Sequence, residues 1–204
     1  MHPKVVNIYL RGINGMTALL VAHVLSYTLG KGRLALKGRK RRPWLEISRC
    51  ETEKQYLNFQ LKTLKQCHDG PVDIFKDRLA TNGFYDRERF RFHGEGLWRA
   101  YEVLCPHDER KISRTVLDIT GIHGLVALWI DQGRITGKRG SIRGRYTENE
   151  YNDITAWLND LGIQAVIHSN QVSIARISLK KDSVNQLRNL IGSHIHHSMR
   201  KKLL

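Results

Sequence analysis

Two mostly apolar segments of the chain predict helices that resemble each other in composition. The first spans residues 13–29, and its small residues are Gly15, Ala18, Ala22 and Ser26. The second spans residues 116–131, and its small residues are Gly121, Gly124 and Ala127. Because small side chains let two helices approach closely, we expect these helices to pack side by side, with Ser26 and Ala127 buried where they cross.

The segment after the first helix predicts a β-hairpin and a further helix. Leu34 and Leu36 alternate with Arg33, Ala35 and Lys37, which predicts a half-buried strand, and residues 44–48 have the pattern of a returning strand. Residues 52–55 (Thr-Glu-Lys-Gln) match the capping-box pattern, so a helix should begin there and end near residues 67–70.

The remaining part of the first half has β-like composition and ends in a short helix. Residues 72–93 are typical of strands, and residues 96–104 have apolar residues at helical spacing. The polar segment 106–114 is the best candidate for a linker. We therefore predict two halves, residues 1–105 and residues 106–204.

The second half repeats the order of elements found in the first. Residues 134–146 predict one or two strands, and residues 147–150 (Thr-Glu-Asn-Glu) form a second capping-box pattern before a helix. Strands at 163–168 and 171–178 and a helix at 182–192 follow. The order predicts an α+β fold with an internal αββαββα duplication, to which a generic two-layer α+β domain is the alternative.

The charge balance indicates a polyanionic partner. Lys and Arg total 34 against 19 Asp and Glu, which gives a net charge of +15. Such a surplus favours nucleic acid over a membrane surface, since no basic helix with an apolar face is evident. A ribosome-like or merely basic protein is the plain alternative. No apolar run approaches the roughly 20 residues of a membrane span, and the start of the chain lacks the apolar stretch of a secretory signal.

Cysteine and histidine usage indicates no disulfide framework and no zinc finger. The three cysteines, at positions 50, 67 and 105, are scattered and form no C-x-x-C pair. They favour a reduced, intracellular and hence cytoplasmic setting, with an organelle or a phage-infected host also compatible. His194, His196 and His197 form a patch for which metal binding, phosphate contact and plain solvent exposure are all open.

Two runs of basic residues occupy equivalent points of the duplication. Residues 31–42 contain seven basic side chains and no acid, and residues 134–146 contain five and no acid. From these runs we expect the following residues to bind nucleic acid: Arg33, Lys37, Arg39, Lys40, Arg41, Arg42, Lys138, Arg139, Arg143 and Arg145. A period of two places Arg33, Lys37 and Arg39 on one strand face, and Arg139, Arg143 and Arg145 on another. A solvated charged face is the alternative.

Four short motifs resemble, in order, those of the LAGLIDADG homing endonucleases. Residues 125–133 (LVALWIDQG) are similar to the nine-residue motif that names the family, in its divergent form, and residues 24–32 (VLSYTLGKG) match it more weakly. Lys111-Ile112 resembles the lead-in to the second motif, and residues 194–203 (HIHHSMRKKL) resemble the closing element. The set extends over residues 14–203.

The resemblance implies a fold and a chemistry. Two αββαββα halves would pack through the motif helices, and their sheets would form a saddle over the DNA major groove, so that a monomer suffices. In the family, one acid from each motif, just before its final glycine, holds the divalent ions that cleave DNA. Here Lys31 and Gln132 occupy those positions. Asp131 stands one residue too early, although it is a possible substitute ligand, and Lys111 and Lys202 match positions that the family keeps basic.

The missing acids decide the functional expectation. Lysine has no lone pair for a metal at neutral pH, and glutamine offers only a neutral oxygen. We therefore expect a sequence-preferring protein that binds double-stranded DNA and does not cleave it, with no cofactor. Mg²⁺ would be required only if cleavage were retained. The alternatives are an active or nicking endonuclease with a rebuilt metal site and a maturase that binds intron RNA. Lys31 would either replace part of the metal's charge or simply contact phosphate.

Overall fold

The computed structural model describes residues 15–37, 42–68, 70–77, 87–94, 96–170 and 173–204. The elements up to residue 105 are α1 (Gly15–Leu29), β1 (Arg33–Lys37), β2 (Arg42–Cys50), α2 (Lys54–Cys67), β3 (Val72–Asp77), β4 (Arg87–His93) and α3 (Leu97–Leu104). The later elements are α4 (Arg114–Gln132), β5 (Gly133–Thr136), β6 (Arg139–Ile142), α5 (Glu148–Asp160), β7 (Ala165–Asn170), β8 (Ser173–Leu179) and α6 (Lys181–Ile191). Short 3-10 turns occupy Glu51–Glu53, Pro106–Asp108 and His197–Leu203.

Two antiparallel four-stranded sheets have the same internal order. The first is ordered β1-β2-β4-β3 and the second β5-β6-β8-β7. The equivalence of the two orders confirms the predicted α+β fold and its duplication. The division of the chain at residue 105 stays a prediction.

Alternation along the strands separates a buried face of each sheet from an open one. In β4, Phe90 and Phe92 are buried, whereas Arg89 and Arg91 between and beside them are only half-buried. Ile47 on β2 lies opposite Phe90 and is likewise buried. Because successive side chains of a strand point to opposite faces, the helices cover the apolar face and the arginines occupy the other one.

Helices α1 and α4 pack against each other at the centre of the molecule. Ser26 on α1 is 0% exposed and Ala127 on α4 is 2% exposed, as the small-residue pattern predicts. A Cβ atom at Gly124 would lie 3.0 Å from Leu29 Cδ1 of the other helix and would overlap the Thr120 side chain. The close approach of the two helices therefore depends on small residues.

Two local features differ from the sequence prediction. No capping box forms at residues 52–55, because a 3-10 turn delays α2 to Lys54 and Glu53 occupies the N-cap without a side-chain hydrogen bond. The predicted second capping box is confirmed, with Thr147 and Glu150 bonded reciprocally. Helix α4 is interrupted at Gly121, whose φ of 51° is a conformation that glycine adopts at low cost.

No helix in the described residues is both long and apolar enough to cross a membrane.

Candidate nucleic-acid interface and helix-end site

The ends of α1 and α4 meet through Gly30 and Asp131. The backbone N–H of Lys31 donates to Asp131 Oδ2 at 2.9 Å, which joins two residues that are far apart in sequence. A Cβ atom at Gly30 would overlap Asp131 Oδ2. Glycine is thus required at position 30 for the carboxylate of Asp131 to lie where it does.

Arg49 holds this carboxylate from the buried face of β2. Its Nη1 donates to Asp131 Oδ1 at 2.7 Å and its Nη2 donates to Asp131 Oδ2 at 3.0 Å, which is the two-pronged geometry of a strong guanidinium–carboxylate pair. The side chains of Arg49 and Asp131 are only 1% and 2% exposed. Arg49 Nε donates to Gln60 Oε1 at 2.8 Å, and its guanidinium lies over the Tyr56 ring. Arg49 is therefore fixed on several sides.

Glu53 and Lys31 complete a cluster of two cations and two carboxylates. Glu53 Oε2 accepts from Arg49 Nη1 at 3.1 Å and from Lys31 Nζ at 3.2 Å. Burial alone would lower the pKa of Arg49, but Asp131, together with Tyr56 and Glu53, more than offsets burial and raises it. Burial would raise the pKa of Glu53, yet Lys31 and Arg49 hold it below its usual value. We call Lys31, Arg49, Glu53 and Asp131 the helix-end cluster; its formal charges sum to zero at neutral pH.

The other residues that the resemblance singled out each make a contact through the backbone. Gln132 is half-buried, and its backbone carbonyl accepts from the N–H of Arg143 at 3.0 Å. The carbonyl of Lys202 accepts from Trp129 Nε1 at 3.0 Å, which fixes the C-terminal segment beside α4. Lys111 is exposed, and its backbone N–H donates to the carbonyl of Leu104.

The donor atoms at the helix ends do not fit a divalent metal. A hard cation such as Mg²⁺ prefers several carboxylate or carbonyl oxygens with free lone pairs. Both oxygens of Asp131 accept hydrogen bonds from Arg49, and Oδ2 accepts another from Lys31. In the part of the chain that the structure describes, no group of three or more His, Cys, Asp or Glu residues is arranged to hold a metal, and this includes the predicted histidine patch.

Arg49 and Glu53 were not among the sequence candidates. Every second residue of β2 lies on the face that packs against helices, namely Leu45, Ile47 and Arg49. An arginine on this buried face requires buried partners. The sequence shows Arg49 as a charged residue at an apolar position of the strand. It does not show that the partner of Arg49 is Asp131, which is 82 positions away.

The open face of the second sheet is a basic groove. It has a volume of about 720 Å³ and carries no acidic residue in its lining. Its basic lining residues are Arg134, Arg139, Arg143, His168, Arg176, Lys180 and Lys181. Two of the predicted residues, Arg139 and Arg143, are among them, whereas Lys138 and Arg145 are exposed beside β6. The contribution from β7, β8 and the start of α6 was not predicted.

The open face of the first sheet combines arginines with aromatic rings. Arg89 and Arg91 of β4 lie there beside Trp44 of β2 and Phe75 of β3. Among the predicted residues, Arg33 and Arg42 are exposed on β1 and β2. Lys37 ends β1, but its side chain lies outside the described part, as do Arg39, Lys40 and Arg41.

Comparison with solved structures identifies the fold. No protein-family model matches the sequence, and no curated protein does. The homing endonuclease I-WcaI bound to its DNA recognition sequence aligns with a TM-score of 0.77 at 14% identity, over 97% of this chain and 91% of that one. I-DmoI in complex with DNA and Ca aligns with a TM-score of 0.61 at 18% identity, over 91% and 97% of the two chains.

A third likeness covers only part of a larger protein. Full-length DUF199/WhiA from Thermatoga maritima aligns with a TM-score of 0.54 at 13% identity, over 98% of this chain and 63% of that one. At these identities the likeness concerns the fold. The fold implied by the sequence motifs is confirmed: this chain has the architecture of the LAGLIDADG homing endonucleases.

Proposed function

We propose that this protein binds double-stranded DNA across the open faces of its two sheets and does not cleave it. The observation that carries the proposal is the basic groove of the second sheet, which is concave and free of acid. A major groove about 12 Å wide admits a two-stranded β-ribbon, and arginine and lysine side chains bind its phosphates and base edges. The DNA complexes of I-WcaI and I-DmoI support this assignment.

The helix-end cluster supports the absence of cleavage. Family positions that would carry acids hold Lys31 and Gln132. The two carboxylates of the cluster, those of Asp131 and Glu53, are both paired with Arg49. Lys31 has a 43% exposed side chain, so it is accessible to a phosphate while it pairs with Glu53. We propose that Lys31 contacts the DNA backbone without activating a water molecule.

Binding should depend strongly on salt. Each phosphate neutralised by the protein contributes about 0.9 to the slope of log affinity against log salt concentration. Fluorescence anisotropy with a labelled duplex at several salt concentrations measures this slope. The double variant Arg139→Ala and Arg143→Ala should reduce it by roughly one to two units, while Arg99→Ala, an exposed arginine on α3, is the matched control and should leave it unchanged.

Two outcomes would contradict the proposal. A flat salt response would remove nucleic acid as the partner. Competition in which structured RNA displaces the duplex, but not the reverse, would favour an RNA-binding maturase. Because one chain supplies both sheets, we propose that a monomer binds; sedimentation of an obligate dimer on DNA would contradict that part.

A further inference from the structure

Arg91 is held between two aromatic rings on the open face of the first sheet. Its Cζ lies 4.8 Å from the centre of the Trp44 ring and 4.7 Å from that of Phe75. The strand register explains this placement. Trp44 is opposite His93 and Phe75 is opposite Arg89, so each ring is a diagonal neighbour of Arg91 from a different adjacent strand.

Glu46 sets the orientation of the Arg91 guanidinium. Directly opposite Arg91 on β2, it accepts from Arg91 Nε at 2.6 Å and from Arg89 Nη1 at 3.2 Å. The contact uses the Nε position of Arg91 and leaves its two terminal Nη groups to donate elsewhere. The side chain of Arg91 is 20% exposed, so part of it is accessible to a ligand.

This arrangement is suited to one kind of partner group. Guanine presents two acceptors, O6 and N7, side by side in the major groove, and the commonest specific protein contact to them is a two-pronged arginine. An arginine fixed in advance by stacking and by a carboxylate loses little side-chain entropy when it makes that contact. A phosphate-binding arginine needs no such preparation, and the arginines of the second-sheet groove are exposed.

We infer that Arg91 recognises a guanine in the half of the DNA site that faces the first sheet, with Glu46, Trp44 and Phe75 as its positioning residues. The inference rests on the proposed binding of duplex DNA. It assigns the two sheets different contributions. The second-sheet groove supplies affinity for any sequence, and Arg91 supplies discrimination at one base pair.

Selection from a pool of duplexes with randomised sequence tests the inference. Wild-type protein should enrich sites with a guanine at a fixed position in one half. Arg91→Lys keeps the charge but replaces the two-pronged guanidinium with a single ammonium group. Selection with this variant should therefore lose the preference for that guanine and keep the other preferences. On the wild-type site, its affinity should fall roughly tenfold to a hundredfold, with an unchanged salt slope. Arg99→Lys, an exposed arginine on α3 that keeps its charge, is the matched control and should keep the guanine.

A substitution in the DNA makes the test independent of protein stability. Replacing the selected guanine by 7-deazaguanine removes the N7 acceptor. This change should weaken wild-type binding about tenfold and should hardly affect Arg91→Lys. Phe75→Leu should reduce the discrimination without changing the salt slope.

The possible failures can be told apart. If wild-type protein enriches no duplex and shows no salt-dependent binding, the proposed function is wrong and the inference falls with it. If the protein binds a preferred site but Arg91→Lys retains the same guanine preference, or weakens all sequences equally, the inference alone is overturned.

Discussion

Removal of the Asp131 carboxylate should destabilise the protein strongly. In Asp131→Ala, the guanidinium of Arg49 would keep its buried position, 1% exposed, but would lose both hydrogen bonds to its main counter-ion. The backbone N–H of Lys31 would also lose its acceptor. The perturbation therefore leaves a buried charge that is only partly compensated.

The magnitude follows from the burial of the pair. Breaking a buried ion pair by removing one partner costs about 3–5 kcal/mol, whereas replacing both partners with apolar residues is often nearly neutral. Glu53 remains 3.1 Å from Arg49 Nη1, which favours the lower end of this range. The double variant Arg49→Met with Asp131→Leu should cost less than Asp131→Ala alone. At about 2–4 °C per kcal/mol for a chain of this size, Asp131→Ala should lower Tm by roughly 6–20 °C.

Urea unfolding followed by circular dichroism measures these free energies. Glu102→Ala, which removes an exposed carboxylate paired with Arg99 on α3, is the matched control and should cost less than about 1 kcal/mol. The reasoning would be refuted if Asp131→Ala stayed within 1 kcal/mol of wild type, or if the Arg49 and Asp131 changes were additive within about 0.5 kcal/mol.

Three further predictions concern the helix pair and its ends. Gly30→Ala should cost about 1–3 kcal/mol in urea unfolding because its Cβ would displace Asp131, and the cost should vanish in the Asp131→Ala background. Burial and His123 lower the pKa of His23 to about 4 from 6.5, so protonation favours the unfolded chain. As the pH falls from 6.5 to 4, the free energy of unfolding should therefore decrease by up to about 1.4 kcal/mol per pH unit. In His23→Asn this decrease should be less steep. Lys31→Asp combined with Gln132→Asp should make DNA binding depend on Mg²⁺, since two added carboxylates repel phosphate without a cation; equal affinity in EDTA would contradict this.

Much of the fold could be predicted from local sequence. The small residues of α1 and α4 predicted the central helix pair, because close packing is visible in composition alone. The capping box at residues 147–150 was predicted because its bonds form within four residues. The one at residues 52–55 does not form, because a 3-10 turn precedes α2 and places Glu53, not Thr52, at the N-cap.

The candidate site depended more on tertiary contacts. The basic runs located Arg139 and Arg143, but the same groove also contains Arg176, which comes from a strand that local charge did not distinguish. The setting of Arg91 depends on the register of three strands. Composition of residues 72–93 predicted β structure there, but pairing with β2 brings together positions more than 40 residues apart. Such pairings leave no local pattern.

The most direct test of the central claim uses one selected duplex and the unaltered protein. We predict equal affinity in EDTA and in Mg²⁺, and a duplex that stays intact after incubation with Mn²⁺, because the helix-end carboxylate is held by Arg49 and not by a metal. Specific double-strand cleavage that requires Mg²⁺ and is lost in Asp131→Asn would show that Asp131 leaves Arg49 to bind a metal, and would contradict the account.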